Sequence, residues 1–594
     1  MMKSSPRYLS HNVIWRLVQE VDAVSFDFFD TLFIRPLCDP EDIFDIVGDH
    51  FGLPNFRNIR KSAQAEAFRR MKKRGRLEIT LEDIYDCLDM DIPRSEVMRT
   101  EYETELAFLK PNDELIPIYV ESIEAKKLVS IISDMYLPKD FFTECLKRHS
   151  LPEVPLFVSS ECNATKRDSG ELFDFVIKTI GKYPDRILHI GDNPFSDIQR
   201  AREKGMQTHF YRESYKPASA NRIPPLTSVA KALIRVHSSI VAPDSYEEIG
   251  FKYGGPAAVG FLDWIIEQSR VDKIDHILFL SRDGYILNRL AMLQKSDQLP
   301  GYHYFWGSRV AFSMAAMDET NFATYIPFLL SGSDGLAPRE LLERIGVPLP
   351  SAEVMAELGV GDDIKVSCET RNTVIRFLYA FRWEILKICR RNRRALFKYL
   401  MKLGITDGCR VALIDVGWNG TTQEAFEQSI KKLVNLDVFG YYFSLSNLPE
   451  CLERQQKHKM ISMTSSQQLT PDFNPLIYQN RTLVELLFSA PHCSIIGWKD
   501  IDNSIIPIED AGRGNVSDLP SSINEIAKGA ELFAKSFWQL REDTGLRGMP
   551  IQIASPLLDL IKEGNWRSMP LFSQIHNFDT WGSSRNHDIK LIHY

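Results

Sequence analysis

Short apolar runs alternate with amphipathic stretches along the chain, and this pattern predicts a mixed α/β protein. Runs rich in strand-forming residues include KLVSIIS, RILHI, HILFL and RVALI. Short apolar runs bounded by turn signals are typical of buried parallel strands. Segments between them, such as EDIFDIVGDHF and SEVMRTEYETELAFL, carry apolar residues at helical spacing. Strands that alternate with helices indicate βαβ units, and therefore doubly wound sheets.

Changes in this pattern divide the 594 residues into four predicted parts. An α/β unit spans 1–213 and contains a helical insertion at about 40–117. A linker rich in Pro, Ser and Asn follows at 214–245. A second doubly wound α/β domain, with its own helical insertion, spans 246–446. The remainder, 447–594, is predicted to be a mixed, mostly helical extension that packs on the second domain and carries no recognisable chemistry.

Acidic residues follow two of the predicted strands in the first part. Asp27 lies in SFDFFDTLF, and Asp192 and Asp197 lie in ILHIGDNPFSDI. If these strands are parallel and adjacent, the acids project from the sheet edge where doubly wound folds bind ligands. Carboxylates there suit magnesium and phosphate chemistry. The alternative is that each motif is a strand end followed by a turn or a helix cap.

Two further residues complete a set that resembles a known superfamily. They are Ser133, at the end of KLVSIIS, and Lys166, in SSECNATKRDSG. The four motifs in this order resemble the haloacid dehalogenase (HAD) superfamily over about the first third of the chain. The resemblance implies a Rossmann-like domain with a helical cap, Asp27 as nucleophile, and Ser133 with Lys166 as a phosphate clamp. It also implies Mg²⁺ held by Asp27, Asp192, Asp197 and the backbone carbonyl of Phe29.

Phe29 departs from the pattern of HAD phosphatases. Those enzymes usually carry a second aspartate two residues after the nucleophile, which protonates the leaving group. Losing a general acid costs roughly a hundred- to ten-thousand-fold in rate. Dehalogenase-like members also carry an aromatic residue here, so the reaction is either carbon-centred or a phosphoryl transfer with a good leaving group. Asp30, one place further on, is expected to point elsewhere unless a bulge returns it to the site.

The second domain contains two candidate ligand loops at strand ends. One follows HILFL in SRDGY, and the other follows RVALI in DVGWNGTTQ. The predicted ligand residues are Ser281, Arg282, Asp283, Gly284, Arg309, Asp415, Gly417, Asn419, Gly420, Thr421 and Thr422. Glycine and small polar residues that lead into a helix can hold phosphate through their amides. The alternative is that both turns only cap helices.

Each loop also resembles a family motif. DVGWNGTT is similar to the phosphoribosyl-pyrophosphate loop of phosphoribosyltransferases, although Val416 replaces its second acid. SRDGY is similar to a degenerate HAD first motif, with Ser281 at the nucleophile position and Asp283 two residues later. These readings remain open alternatives.

The phrases FDFFDTL, SDMYLP, LSRDGY and DVGWNGT in series resemble HAD-like proteins of bacterial surface-polysaccharide clusters. This resemblance implies a Mg-dependent phosphohydrolase that acts through an aspartyl phosphate on a sugar phosphate, nucleotide or similar metabolite. One alternative is a bifunctional protein with a glycosyl- or phosphoribosyltransferase-like second domain. Another is a nucleotide-binding regulatory module with a degenerate HAD site.

Composition narrows the class of protein. The formal net charge is -8, which disfavours nucleic acid as a partner. The nine cysteines occur singly, so a disulfide framework or zinc site is not expected. The chain has no signal-peptide pattern and no apolar run long enough to span a membrane. A soluble cytoplasmic enzyme is therefore expected, and the sequence leaves the oligomeric state undetermined. The small phosphorylated substrate is what the resemblance implies.

Overall fold

The structure is a computed structural model that divides the chain into two compact units. It describes residues 6–212, 222–236, 241–294, 299–361, 363–466, 473–502, 504–510, 519–576 and 590–593. The first unit comprises residues 1–236 and 536–548, and the second comprises residues 237–535 and 549–594. Both units contain a parallel sheet with helical connections, which confirms the predicted α/β fold class.

A five-stranded parallel sheet forms the centre of the first unit. The strands of this unit are β1 (Ala23–Phe26), β2 (Phe33–Ile34), β3 (Lys110–Pro111), β4 (Leu128–Ser133), β5 (Leu156–Val158), β6 (Ile187–Gly191) and β7 (Gln207–Phe210). The spatial order is β5-β4-β1-β6-β7, and every neighbouring pair is parallel. All residues of β1 and β6 are buried, as continuous apolar strands covered on both faces should be.

Helices cover this sheet and form an insertion between β2 and β3. The helices of the first unit are Pro6–Gln19, Asp42–Phe51, Phe56–Lys73, Leu81–Tyr85, Arg94–Phe108, Leu115–Glu124, Lys139–Arg148, Ser159–Cys162, Glu171–Ile180, Arg200–Glu203 and Pro225–Val236. Because β2 and β3 pair antiparallel, they close the base of the insertion. We call the four helices between them, from Asp42 to Phe108, the cap.

A second five-stranded parallel sheet forms the centre of the second unit. The strands are β8 (His276–Leu280), β9 (Gly301–Phe305), β10 (Arg410–Asp415), β11 (Asp437–Tyr442), β12 (Lys459–Ser462), β13 (Ile495–Ile501) and β14 (Ser504–Glu509). The sheet order is β12-β11-β10-β8-β9, again with parallel neighbours. β13 and β14 form a separate antiparallel hairpin.

Numerous helices surround the second sheet. They are Tyr246–Ile249, Gly255–Val271, Tyr285–Gln294, Arg309–Ala316, Ile326–Leu329, Pro338–Glu343, Ala352–Glu357, Arg371–Ala380, Arg382–Lys402, Thr421–Ile430, Pro449–Lys457, Met463–Ser466, Phe473–Gln479, Arg481–Phe488, Leu519–Thr544, Ser555–Glu563 and Pro570–Ser573. The last turns of Leu519–Thr544 are assigned to the first unit. Among the described helices, none has the length and apolar character needed to cross a bilayer.

The predicted domain boundaries need correction at two places. The boundary at 446 separates β12 from β11, although these strands pair in one sheet. The extension 447–594 therefore does not stand apart from the second domain. The predicted linker contains the helix Pro225–Val236, while residues 213–221 and 237–240 lie outside the described residues.

Residues 536–548 return to the first unit. Asp543 forms an ion pair with Lys110, with 3.6 Å between nitrogen and oxygen. Residues 543–547 also line a cavity of about 350 Å³ together with two cap helices, Asp42–Phe51 and Arg94–Phe108. The first unit is thus built from two segments that are far apart in sequence.

Candidate active site

The topology of the first sheet brings the predicted catalytic residues to one edge. From β1 the chain crosses to β4 on one side, and from β6 it crosses to β7 on the other. The gap between β1 and β6 is therefore the switch point at which doubly wound sheets bind ligands. Phe26 lies level with Ile190, so Asp27 and Asp192 leave neighbouring strands close together.

Lys166 contacts residues at or just after three strands, β1, β4 and β6. Its Nζ donates to Asp27 Oδ1 at 2.6 Å and to Asp197 Oδ1 at 2.5 Å. A third contact, 3.3 Å long, joins Nζ to the backbone carbonyl of Ile132 in β4. Ser133 is the next residue and ends β4 with 1% of its surface exposed. The structure therefore brings Asp27, Lys166 and Asp197 into direct contact and places Ser133 beside them.

Asp197 is held on both of its carboxylate oxygens. Besides Lys166, Oδ1 lies 3.4 Å from His189 Nε2, and Oδ2 accepts a hydrogen bond from the Asn193 backbone N–H at 3.0 Å. The other ring nitrogen of His189, Nδ1, lies 2.9 Å from Ser25 Oγ. Asp197 therefore orients Lys166 and fixes the loop that carries Asp192.

Gly191 is needed for this arrangement. A Cβ atom at this position would lie 2.5 Å from both Cβ and Cγ of Asp197. Atoms cannot approach so closely, so a larger residue would displace the Asp197 carboxylate.

Asp134 positions the loop that supplies Lys166. Its Oδ1 accepts from the backbone N–H of Lys166 at 2.8 Å, and its Oδ2 accepts from the backbone N–H of Arg167 at 2.9 Å. Sequence reasoning missed Asp134 and His189 as site residues. A histidine inside the apolar strand ILHI was the available signal for one of them, because a buried polar side chain requires a partner.

Burial and charge change the pKa values of the site. Burial, together with the charge of Asp197, raises the pKa of Asp27 to about 7 against the opposing effect of Lys166. Burial followed by the charges of Asp27 and Asp30 raises the pKa of Asp192 to about 9. Burial acts in the same direction on Asp197, but Lys166 and His189 hold its pKa well below its usual range. Burial would lower the pKa of Lys166, yet Asp197 and Asp27 keep it well above its ordinary value.

The acidic residues fit a divalent cation. Asp27, Asp192 and Asp197 each offer a carboxylate oxygen, and these oxygens lie within 4.8 Å of one another. Three carboxylates and one ammonium group leave an excess of negative charge when ionised. Magnesium prefers such oxygen ligands. Since Asp197 already accepts hydrogen bonds on both oxygens, Asp27 and Asp192 are the more available pair.

Phe29 packs in an aromatic cluster instead of presenting a polar group. Its ring lies 5.1 Å from that of Phe28 and 6.1 Å from that of Phe141, measured between centroids. The Arg35 guanidinium lies 4.9 Å above it. Asp30 has a left-handed backbone, with φ 54°, and accepts a hydrogen bond from Arg35 at 3.2 Å.

The second sheet brings its two predicted loops together in a similar way. β8 and β10 are parallel neighbours, with Phe279 level with Ile414. Ser281 to Gly284 and Asp415 to Thr422 therefore leave the same edge. Burial, followed by the charge of Asp283, raises the pKa of Asp415 well above its usual value.

The remaining predicted residues of the second unit have varied places. Ser281 Oγ donates to the Gly307 carbonyl at 2.6 Å, and Asn419 accepts a hydrogen bond from Ser446. Gly420, with φ 69°, precedes Thr421, the first residue of the helix Thr421–Ile430. Arg309 begins the helix after β9 and is exposed. Gly417 lies in the loop after β10.

No protein-family model matches the chain, and no curated protein matches it. Solved structures similar to it include a HAD phosphatase from Thermococcus onnurineus, with 18% identity over 34% of this chain and 90% of that chain, and a TM-score of 0.25. A 2-haloacid dehalogenase from Pseudomonas syringae pv. Tomato DC3000 has 17% identity over 34% and 92%, with a TM-score of 0.25. A HAD family enzyme from Bacteroides thetaiotaomicron has 15% identity over 34% and 95%, with a TM-score of 0.25. These similarities concern about a third of the chain.

Proposed function

We propose that the first unit is a magnesium-dependent hydrolase of the HAD type that acts on a small phosphorylated metabolite. The observation that carries this proposal is the contact of Lys166 with Asp27 and Asp197 at the switch point, with Asp192 beside them. A buried nucleophile, a fixed positive charge and an acidic cation site are the parts that phosphoryl transfer through a carboxylate requires.

Asp27 is the nucleophile in this proposal. One of its carboxylate oxygens attacks phosphorus and forms an aspartyl phosphate while the ester oxygen departs with its electron pair. Water then attacks the same phosphorus, which releases inorganic phosphate and regenerates the Asp27 carboxylate. Lys166 stays charged throughout and balances negative charge on the phosphoryl oxygens. Ser133 is proposed to hydrogen-bond one of these oxygens.

A magnesium ion held by Asp27, Asp192 and the Phe29 carbonyl, with Asp197 alongside, would neutralise the phosphate charge when bound. The excess acidic charge at the site supports this assignment. Asp197 supports the site by binding Lys166 and the Asn193 backbone amide, and this role does not depend on its distance from the ion.

Phe29 restricts the substrates that this site can process quickly. A phenyl ring cannot donate a proton to a departing alkoxide, so we expect esters with good leaving groups to react fastest. Among nucleotides and sugar phosphates, the phosphoanhydrides and the glycosyl 1-phosphate esters have the better leaving groups. The same aromatic residue favours a second candidate, carbon-centred displacement by Asp27, in which a halide leaves without needing a proton.

The test is release of inorganic phosphate from an activated aryl phosphate and from a panel of sugar phosphates and nucleotides. Wild type is compared with Asp27→Asn, with magnesium or with chelator. Asp22→Asn is a matched control, because Asp22 lies just before β1 and is ion-paired with Arg186.

We expect release that requires magnesium, is abolished in Asp27→Asn and persists in Asp22→Asn. Absence of release from the activated ester would contradict the phosphatase proposal. Halide release from a 2-haloacid under the same conditions would then support the second candidate.

A further inference from the structure

The helix Arg382–Lys402 of the second unit contains eight basic residues and one acidic residue, in a chain whose formal net charge is -8. One side of this helix is buried in two apolar cores of the second unit. The buried residues are Ile385, Leu386, Ile388, Cys389, Asn392, Ala395, Leu396 and Leu400. The apolar side of the helix is therefore used in folding, and the basic residues lie mostly on the other side.

The outward side of this helix presents one line of exposed side chains. Trp383, Lys387, Arg390, Arg394 and Phe397 follow one another at alternating intervals of four and three residues, and all five are exposed. This spacing places side chains on one face of a helix. Trp383 and Phe397, which are 52% and 37% exposed, lie about 21 Å apart along the helix axis. We give the name basic face to these five residues together with their neighbours Arg391, Lys398 and Lys402.

Nearby acids compensate only part of the charge of the basic face. Its ion pairs are Lys387–Glu384 at 2.7 Å, Arg390–Glu319 at 3.8 Å and Lys398–Asp500. All three pairs are at the surface, where such pairs contribute little. Arg391, Arg394 and Lys402 make no ion pair with any residue that the structure describes, although Arg394 and Lys402 influence Asp500 at longer range. The basic face therefore keeps a net positive charge.

A cap helix with a similar basic run, Phe56–Lys73, differs in this respect. Glu66 on the same helix pairs with Arg69 at 2.9 Å and with Arg70 at 3.0 Å. The two aromatic side chains of the cap helix are buried or half-buried. A run of basic residues alone therefore does not distinguish the two helices. What distinguishes Arg382–Lys402 is uncompensated positive charge in line with exposed aromatic rings.

This combination suits the surface of an anionic membrane. Negatively charged lipid headgroups attract lysine and arginine side chains that lie within about a Debye length of the surface. Tryptophan and phenylalanine rings are favourable at the boundary between headgroups and acyl chains. Single-stranded nucleic acid is instead usually bound in a positively charged groove, where aromatic rings stack on bases. The basic face lies on the outer side of a single helix, and so it fits a membrane surface better.

We propose that the basic face docks the second unit on an anionic lipid surface. Its lysine and arginine side chains attract the phosphate groups of the lipids, and the rings of Trp383 and Phe397 enter the interface near the two ends of the helix. The helix lies parallel to the membrane surface, because its opposite side stays packed in the protein. This docking does not depend on hydrolysis at Asp27.

The test is co-sedimentation of the full-length protein with vesicles, at low and at high salt. The vesicles contain either phosphatidylcholine alone or an equimolar mixture of phosphatidylcholine and phosphatidylglycerol. The variants are Arg390→Glu/Arg391→Glu/Arg394→Glu on the basic face, Trp383→Ala/Phe397→Ala for the rings, and Arg69→Glu/Lys72→Glu/Lys73→Glu as a matched control. The control makes the same change of charge at exposed positions of the cap helix. Thermal melts verify that each variant is folded.

We expect the wild type to bind the vesicles that contain phosphatidylglycerol at low salt, to leave them at high salt, and not to bind phosphatidylcholine alone. The triple variant of the basic face should bind at least about tenfold more weakly, and the cap variant should bind like the wild type. The ring variant should also bind more weakly, because it removes both anchors.

A wild type that does not bind the anionic vesicles at low salt would overturn the proposal. Equal losses in the two triple variants would also overturn it, because they would show that only the overall charge matters. Unchanged affinity in the ring variant would contradict the entry of the rings. If double-stranded DNA binds the wild type and the vesicles do not, the basic face is a nucleic-acid surface and the membrane proposal is wrong.

Discussion

Lys166, buried with 2% of its surface exposed, shows how single residues define the first site. Its ammonium group binds two carboxylates whose pKa values move in opposite directions. Asp197 accepts hydrogen bonds on both carboxylate oxygens, and its lowered pKa keeps it ionised. The pKa of Asp27, by contrast, is about 7. The pKa of Asp27, the proposed nucleophile, is therefore sensitive to its surroundings, whereas the carboxylate of Asp197, which positions the lysine, stays ionised.

Phe29→Asp is expected to supply the absent general acid. The rate for phosphate esters with poor leaving groups, such as alkyl phosphates, should rise by roughly a hundred- to ten-thousand-fold, since general acids contribute on that order. The rate for an activated aryl phosphate should change much less, because its leaving group needs no proton. The measurement is the ratio of the two kcat/KM values.

Phe29→Asn is the control, since its amide is not an acid. An equal change of both substrates in Phe29→Asp would contradict this interpretation. Phe29 is 9% exposed, so thermal melts should accompany the kinetics.

Glu105 predicts a pH dependence of stability. It lies on a cap helix, is 2% exposed, and burial raises its pKa from 4.5 to about 7 although Arg35 opposes the shift. Between these values the folded protein holds a proton that the unfolded chain has lost. The contribution of Glu105 is thus fully present below pH 4.5 and is lost as the pH rises to about 7.

Glu105→Gln should remove this dependence and stabilise the protein at pH 8 by roughly 1–3 kcal/mol. Urea unfolding at pH 5 and pH 8 measures the free energy of unfolding of each protein and its change with pH. Glu103→Gln, a more exposed neighbour on the same helix with 61% of its side chain accessible, is the control. Identical pH profiles of wild type and Glu105→Gln would contradict the prediction.

Some residues of the first site were predictable because they stand in recognisable sequence motifs. Asp27, Lys166 and Asp192 are in such motifs, and the motifs follow one another in a recognisable order. Asp134 and His189 act through partners that only the folded chain brings near, so neither has a local signal of equal strength.

At the scale of elements, the cap depends on a buried ion pair. Arg60 and Glu101, on the helices Phe56–Lys73 and Arg94–Phe108, have 0% of their side chains exposed and make two hydrogen bonds of 2.8 and 2.7 Å. Tyr85 donates to the same carboxylate at 2.8 Å, and the ring of Phe44 lies 4.7 Å from the guanidinium. This cluster joins three of the four cap helices directly, and Phe44 adds the fourth.

Glu101→Leu is expected to destabilise the protein by about 3–5 kcal/mol, because it leaves the Arg60 charge buried and unpaired. The double variant Arg60→Met/Glu101→Leu removes both charges and should recover most of that loss. Urea unfolding of the three proteins gives the comparison. A double variant as unstable as the single one would show that packing, not charge, is what Glu101 provides.

Some elements were predictable from the sequence and others were not, for a physical reason. HILFL and RVALI gave β8 and β10 because a strand buried on both faces is a continuous apolar run. DVFGYY, which forms β11, carries a glycine where Gln423 packs closely against the strand. The close packing of Gln423, rather than strand propensity, therefore explains the glycine in β11. The two-residue strands β2 and β3 were missed because their pairing joins residues on either side of the cap.

At the scale of the whole molecule, each sheet has a single switch point with acids at it. The strand orders differ: the first strand of the first sheet lies at its centre with two strands on each side, whereas the first strand of the second sheet has one strand on one side and three on the other. The acids of the first unit contact Lys166, whereas in the second unit burial and then the charge of Asp283 raise the pKa of Asp415. The two strand edges therefore differ in their electrostatics.

A fragment that ends at residue 236 should be less stable than the first unit of the full chain. It lacks residues 536–548, and with them the Lys110–Asp543 ion pair and part of the cavity wall at the cap. The measurement is the thermal unfolding of the fragment and of the full chain, each followed by the loss of the activity proposed for Asp27. A fragment as stable as the first unit of the full-length chain would show that the returning segment adds nothing to the fold.

The return of residues 536–548 also has a consequence for biosynthesis. A ribosome makes the sheet and cap of the first unit early, but the segment that completes this unit emerges only after almost all of the second unit. N-terminal domains generally fold first during translation. Here the nascent first unit must remain incomplete for about 300 residues of further synthesis. Its final assembly is therefore coupled to full-length translation, and a chain released early would lack the finished cap surface.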